Sequence, residues 1–338
     1  MTEFGPLRHG GGLQAAMSRY GGARKDWMDL STGISPYPYP FGDVSPEAYA
    51  RLPEQYELDQ LLLCARQAYQ VPDELQIAAA PGTQALIQLL PSLLTKGKAL
   101  VDDLGYQEHG RCWRLAGHDL QEAADPLATA LDDPRVRYAT IIHPHNPSGA
   151  WADPQAVEMA AQALAARGGL LVVDEAFCDG TPERSFIPRL LAGAVVLRSF
   201  GKFYGLAGVR VGFAVGPPDL IERLQSHLGP WAVPGPAIEI ARQGLADDTW
   251  RIEMISQLAQ HSSRLADVLQ ANGFEPFGQT YLFVTARHAN AAQIEEKLAE
   301  QCILVRGFDQ APDLLRFGLP ATDEQFERLA AALVAATK

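Results

Sequence analysis

The sequence predicts an α/β protein: a mostly parallel sheet flanked by helices, followed by a smaller α+β domain. Three observations lead there. Across residues 76–215, short apolar runs alternate with helical patterns, as in strand–helix units that feed one parallel sheet. Beyond about residue 235 a long helical region, expected over 235–272, gives way to short strands at 281–284, 303–306 and 314–317, which alternate with helices near 291–300 and 322–336. A length of 338 residues is enough for two domains with a large core. The expected divisions are an N-terminal arm over 1–45, a large domain over 46–235, and a connecting helix with a small C-terminal domain over 236–338.

Composition narrows the function classes. Hydrophobic residues make up 47% and charged residues 20%, as in an ordinary globular enzyme. A net charge of -12 argues against general affinity for nucleic acid or an anionic membrane. An anionic ligand must then be held by a few placed arginines and backbone amides. Cys64, Cys112, Cys178 and Cys302 show no C-x-x-C spacing, so neither disulfides nor zinc are suggested. The opening MTEFGPLRHGGG lacks the apolar core of a signal peptide, and no apolar run approaches the ~20 residues of a membrane span. The expected compartment is the cytoplasm.

Taken in order, residues 1–45 are rich in Gly, Pro, Ser and aromatics without a sustained period, and read as an arm along the body. From Ser45 to Tyr69 a helical pattern sets Leu58, Leu61, Leu62 and Ala65 at core spacing. Pro81-Gly82-Thr83-Gln84 then leads into ALIQLLPSLL. A glycine turn before a helix makes an anion site, because free amides and the helix dipole point at one spot. Ala99–Val101 reads as a strand, and Tyr106 follows in a polar turn. YATIIHPHNPSG is a strand ending in a turn; His143 and His145 suggest a metal pair, but no third ligand sits at a matching spacing. After a helix over Pro154–Arg167, the strand Leu170–Val173 delivers Asp174 at its end. Glu175 is adjacent and so points the other way, which disfavours a paired-carboxylate hydrolase.

The chain is organised around SFGKFYGLAGVRVGF, Ser199 to Phe213. It follows the apolar run Ala194–Leu197 and offers one lysine, Lys202, among small and aromatic residues. A lysine placed there can condense with an aldehyde once its amine is partly desolvated. Ser199 and Arg210 can face a common point and hold a dianionic phosphate. This stretch resembles the lysine segment of pyridoxal-phosphate enzymes of the aspartate-aminotransferase fold (fold type I). Within that fold, LRSFGKFYGLAG is most similar to the histidinol-phosphate aminotransferases and, especially, the threonine-phosphate decarboxylases of cobalamin synthesis.

The resemblance implies roles residue by residue. Pyridoxal 5'-phosphate becomes the expected cofactor, bound in the large domain and linked to Lys202. Gly82, Thr83, Gln84, Ser199 and Arg210 would hold its phosphate, Tyr106 would stack on the ring, and Asn146 would bond the phenolic oxygen. Asp174 would keep the ring nitrogen protonated. Phe177 stands where aminotransferases of this fold carry a tyrosine, and the decarboxylases share the phenylalanine. His9 and Gly33 lie in segments similar to the decarboxylases' H-G-G and S-A-N-I-N-P, although Gly33 and Ser35 replace asparagines. Arg316, in LLRFGLP, matches a substrate-carboxylate arginine; Arg306 is a candidate for substrate phosphate, with a structural salt bridge as its rival. The usual tyrosine before the proline near 53 is Leu52 here, with Tyr56 as a possible substitute for reaching a partner subunit. The implied activity is decarboxylation of a phosphorylated amino acid by a homodimer, with transamination of histidinol phosphate as the runner-up. A non-catalytic cofactor-binding module is disfavoured, since every catalytic position is filled.

Overall fold

The computed structural model describes residues 7, 9–189 and 193–338. The first six residues of the expected arm lie outside that set, as does residue 8. Two compact units form, one of residues 38–146 and 151–251, the other of the described residues through Tyr37 with 147–150 and 252–338.

The larger unit holds a seven-stranded sheet in the order Gln76–Ala80, Gly212–Gly216, Ala194–Ser199, Leu170–Asp174, Val136–Ile142, Lys98–Asp102, Asp119–Ala123. All neighbours run parallel except Gly212–Gly216, which is antiparallel to both of its partners. The Leu170–Asp174 and Gly212–Gly216 strands are buried at every residue, as a sheet covered on both faces requires. The Asp119–Ala123 strand was not expected. It is a polar edge strand whose place is fixed by pairing with Lys98–Asp102.

Two expected helices are each split. The pattern over 45–69 resolves into Pro46–Ala50 and Gln55–Ala68. Pro53 supplies no N–H and pushes its predecessor out of the helical region, and the second helix restarts with Glu57 accepting the Glu54 N–H at 2.8 Å. The pattern over 235–272 resolves into Gly235–Ala246 and Asp248–Ala271. Asp247 stands between them and caps the second, accepting the Trp250 N–H at 2.9 Å.

In the smaller unit a four-stranded sheet has the order Arg306–Phe308, Ala311–Gly318, Phe283–Arg287, Glu275–Thr280, antiparallel throughout. The expected strand at 281–284 is thus the second arm of a hairpin. The one expected at 303–306 is two pieces: Ile303–Leu304 pairs in parallel with Met28–Asp29, whereas Arg306–Phe308 joins the larger sheet of this unit. Helices Ala291–Glu300 and Asp323–Ala336 fall where their periodicity places them.

Candidate active site

Lys202 sits in a four-residue helix, Phe200–Phe203, directly after the Ala194–Ser199 strand. Its neighbours Phe200, Phe203 and Tyr204 are almost fully buried. Phe200 stacks on Tyr204 at 4.3 Å between centroids, and Tyr204 stacks on Trp250 at 5.5 Å. This aromatic pile fixes the turn that carries the lysine. Lys202 is half-buried, and its amine lies 4.8 Å from the centroid of the Phe177 ring.

The glycine turn and Arg210 form one cradle. Gly82 adopts φ 85°, ψ 156°, a region open only to glycine, just before helix Thr83–Leu89. A Cβ there would lie 2.8 Å from the Arg210 guanidinium carbon, so the missing side chain makes room for that group. Gly212 makes room for the turn itself, because a Cβ on it would lie 2.8 Å from the Thr83 hydroxyl oxygen. Arg210 is itself held in the left-handed region, φ 59°, ψ 61°, and donates to the Ala207 carbonyl at 3.2 Å. The Thr83 hydroxyl donates to the Arg198 carbonyl at 3.1 Å, which ties the turn to the strand leading to Ser199.

Asp174 is 4% exposed and ends its strand, as the sequence indicates. One carboxylate oxygen accepts the Ala176 N–H at 3.0 Å, and the other lies 2.8 Å from Nε2 of His109. The sequence reading missed His109. The signal was available: it stands three residues after Tyr106, the spacing that puts two residues on one helical face. The two rings meet edge-on at 5.9 Å. Tyr106 donates its hydroxyl to Gln84 Oε1 at 3.0 Å, and Gln84 Nε2 donates to Glu108 at 3.3 Å. The Gln84 side chain therefore orients Tyr106, while its backbone heads the helix. Burial, aided by the Glu108 and Asp174 charges, pushes the Tyr106 phenol well above its ordinary value, so it stays a neutral donor.

Glu175 faces the opposite side of the sheet, as strand alternation demands. It accepts from Ser185 Oγ and from the Phe186 N–H, each at 2.6 Å, and from Arg198 at 2.9 Å. Arg198 also donates to Asp179 at 2.7 Å, completing a buried ionic layer behind the site face.

The two histidines of the H-P-H-N-P turn go to different partners. His143 bonds Ala152 and Arg184, whereas His145 Nε2 lies 3.9 Å from Asp102 Oδ1. Among the described residues no group of three or more His, Cys, Asp or Glu side chains converges to hold a metal. Asn146 follows, half-buried.

The smaller unit contains Arg306 and Arg316, which lie directly opposite each other in antiparallel register. Arg316 is 7% exposed, donates to the Ser31 carbonyl at 2.9 Å, and is pushed down to about 9 by burial and then by Arg306. Paired like charges on one sheet face are costly unless an anion lies between them. Ser31 also accepts the Gly11 N–H at 2.7 Å and donates to Asp29 at 2.6 Å, so the segment before the buried Gly33 is tied to Arg316. His9 is exposed. Tyr56, in the larger unit, is 68% exposed and Leu52 is 60% exposed.

Comparison with known proteins places the chain in a family. The sequence profile of the family Aminotransferase class I and II matches residues 49–333. A threonine-phosphate decarboxylase of Pseudomonas aeruginosa is 39% identical over 333 residues, covering 97% of each chain. Another, from Sinorhizobium sp., is 38% identical over 331 residues, 97% of this chain and 98% of that one. Among solved structures, a histidinol-phosphate aminotransferase from Sinorhizobium meliloti in complex with pyridoxal-5'-phosphate superposes with a TM-score of 0.76 and 23% identity, covering 100% of this chain and 98% of that chain.

Proposed function

We infer, from the premise that this chain belongs to the class I and II aminotransferase family, that it is a pyridoxal 5'-phosphate enzyme that decarboxylates L-threonine O-3-phosphate. The product is (R)-1-aminopropan-2-yl phosphate, a building block of cobalamin. The observation that carries the reaction type is the likeness, over nearly the whole chain, to two threonine-phosphate decarboxylases. Phe177 supports it: the ring beside Lys202 cannot donate a hydrogen bond.

The residues present fit the cofactor. The absence of a Cβ at Gly82 and Gly212 lets the Arg210 guanidinium and Thr83 close in on the glycine turn, which gathers a cation and a helix N-terminus suited to a phosphate. Asp174, buried and held by His109, is a fixed carboxylate suited to a protonated ring nitrogen. When bound, the cofactor accepts the electron pair left on the substrate Cα. Lys202 Nζ would hold the cofactor and would return a proton to the substrate Cα in place of the departing carbon dioxide. Thr83, Gln84 and Ser199, with Gly82 and Arg210, bind the cofactor phosphate. Tyr106 would cover the ring and Asn146 would donate to its phenolic oxygen. Arg316 is assigned the substrate carboxylate and Arg306 the substrate phosphate, because a guanidinium fork matches either anion.

A homodimer is part of this reading. In the larger unit Tyr49, Leu52, Tyr56 and Trp231 are 58–71% exposed, and Trp231 borders a groove of about 410 Å³ lined also by Pro53, Leu58 and Leu62. So much apolar surface suits a second copy of the chain, acting in the cytoplasm. The deciding experiment supplies threonine phosphate and pyridoxal phosphate and follows carbon dioxide and the aminopropanol phosphate. Rapid amino transfer from histidinol phosphate to 2-oxoglutarate, without carbon dioxide release, would instead establish the aminotransferase reading.

A further inference from the structure

His143 opens the turn that carries Asn146, and the reaction outlined above does not use it. Its side chain is 2% exposed and bonded at both ring nitrogens. The Ala152 N–H only donates, so Nδ1, 3.2 Å away, is the bare acceptor. Nε2 therefore carries the hydrogen and donates to the Arg184 carbonyl at 3.0 Å. The ring also meets Trp151 edge-on at 4.8 Å and Phe186 at 4.5 Å, and the Arg184 guanidinium lies 4.8 Å from the Trp151 ring centroid. Through its backbone, the His143 N–H donates to the Asp174 carbonyl at 2.8 Å. One residue thus joins the start of the loop 143–152, its far end, and the segment that follows Asp174. The charged groups that act on the ring are Glu175, Arg184 and Arg198. Burial, reinforced by the two arginines and opposed by Glu175, holds the imidazole below its ordinary value, which matches a neutral ring with one proton.

We propose that neutral His143 is the positioning residue for Asn146, a latch that closes the loop 143–152 and fixes where the asparagine amide points. The proposal rests on the reading that Asn146 bonds the cofactor's phenolic oxygen. That oxygen receives nothing from Phe177, so the placement of Asn146 sets both cofactor affinity and the acidity of the Lys202 link.

The test is a double-mutant cycle on the full chain stripped of cofactor, read as pyridoxal-phosphate affinity by fluorescence and as the pH titration of the visible band after loading. His143→Phe removes both bonds and keeps a flat ring. It should weaken affinity about three- to tenfold, the scale of one or two net hydrogen bonds, and shift the visible titration. In an Asn146→Ala background the same substitution should add almost nothing. His143→Asn, which keeps an acceptor near the Nδ1 position, should recover part of the loss; it and His143→Gln complete the cycle if the phenylalanine variant does not fold. Additive losses, or a His143→Phe protein that matches the parent in both readouts, would overturn the latch alone. An Asn146→Ala protein that matches the parent would overturn the latch and the assigned role of Asn146 together.

Discussion

Replacing Asp102 with asparagine should stabilise the protein in alkali and leave it unchanged in acid. Asp102 ends the Lys98–Asp102 strand with its side chain 15% exposed. Burial first, then the charges of Asp103 and Asp125, pushes its carboxyl up from 3.8 to about 7. His145 gives it no compensating charge at neutral pH, because burial pushes that imidazole down to about 4. The folded carboxyl therefore holds a proton that the unfolded chain has already released. Stability is complete below pH ~4, falls as pH rises, and reaches its floor above pH ~7. A gap of roughly three pH units at about 1.4 kcal/mol each gives an upper bound of about 4 kcal/mol, which water reaching the partly open site will reduce.

Asparagine keeps the shape and one acceptor oxygen but cannot ionise. Asp102→Asn should exceed the parent at pH 8 by about 2–4 kcal/mol, or roughly 3–6 °C in Tm for a chain of this size, and at pH 5 by less than half of that. His145 titrates in both proteins and largely cancels in the difference. Thermal unfolding of cofactor-free protein at the two pH values, followed by circular dichroism, measures the gap. A difference that does not change with pH, or one that is larger at pH 5, would refute the assignment of a buried, proton-holding carboxyl.

Three further outcomes test the site itself. Lys202→Ala should fold normally by circular dichroism yet lose the covalent cofactor band; borohydride reduction of the parent should label Lys202, and labelling of another lysine instead would remove it from its role. Asp174→Asn should lower turnover at least ~100-fold with cofactor still bound, since the ring nitrogen loses the charge that holds its proton. His109→Ala should produce a smaller loss in the same direction; parental turnover in either variant would contradict the Asp174–His109 assignment. Phe177→Tyr adds a donor near the phenolic oxygen and should move the visible titration of the Lys202 link to lower pH, whereas an unmoved titration would show that the new hydroxyl does not reach it.

Much of this was legible because the central strands are continuous apolar runs. Tyr138–Ile142 and Leu170–Val173 announce themselves by composition, and the polar residue that follows each run, His143 or Asp174, falls at the strand's end. Lys202 was legible for a related reason, being the one lysine in a stretch of small and aromatic residues. His109 was only half legible: its spacing from Tyr106 puts the two on one face of a short, polar helix, Gln107–Leu115, but its partner 65 residues away in sequence is set by the fold. The Asp119–Ala123 strand carries no apolar signal, and its pairing decides it. Nor does spacing reveal that Arg306 faces Arg316. That juxtaposition depends on the register of a hairpin with an irregularity between Gly307 and Phe308.

The two-residue period of strands also separates what neighbouring residues do. Asp174 and Glu175 are adjacent, equally buried carboxylates, yet one meets a histidine and the other an arginine, a serine hydroxyl and a backbone amide. Ser199 and Arg198 divide in the same way at the end of the next strand. The Arg198–Glu175 bond therefore fastens two strand ends together from behind, at the level where Asp174 and Ser199 leave the sheet. Thr83, bonded to the Arg198 carbonyl, brings the glycine turn to the same point. Burying an arginine against two carboxylates is a poor route to stability. It makes physical sense here as a means of holding the ends of three segments in register, so that the side chains on the other face keep fixed positions for chemistry.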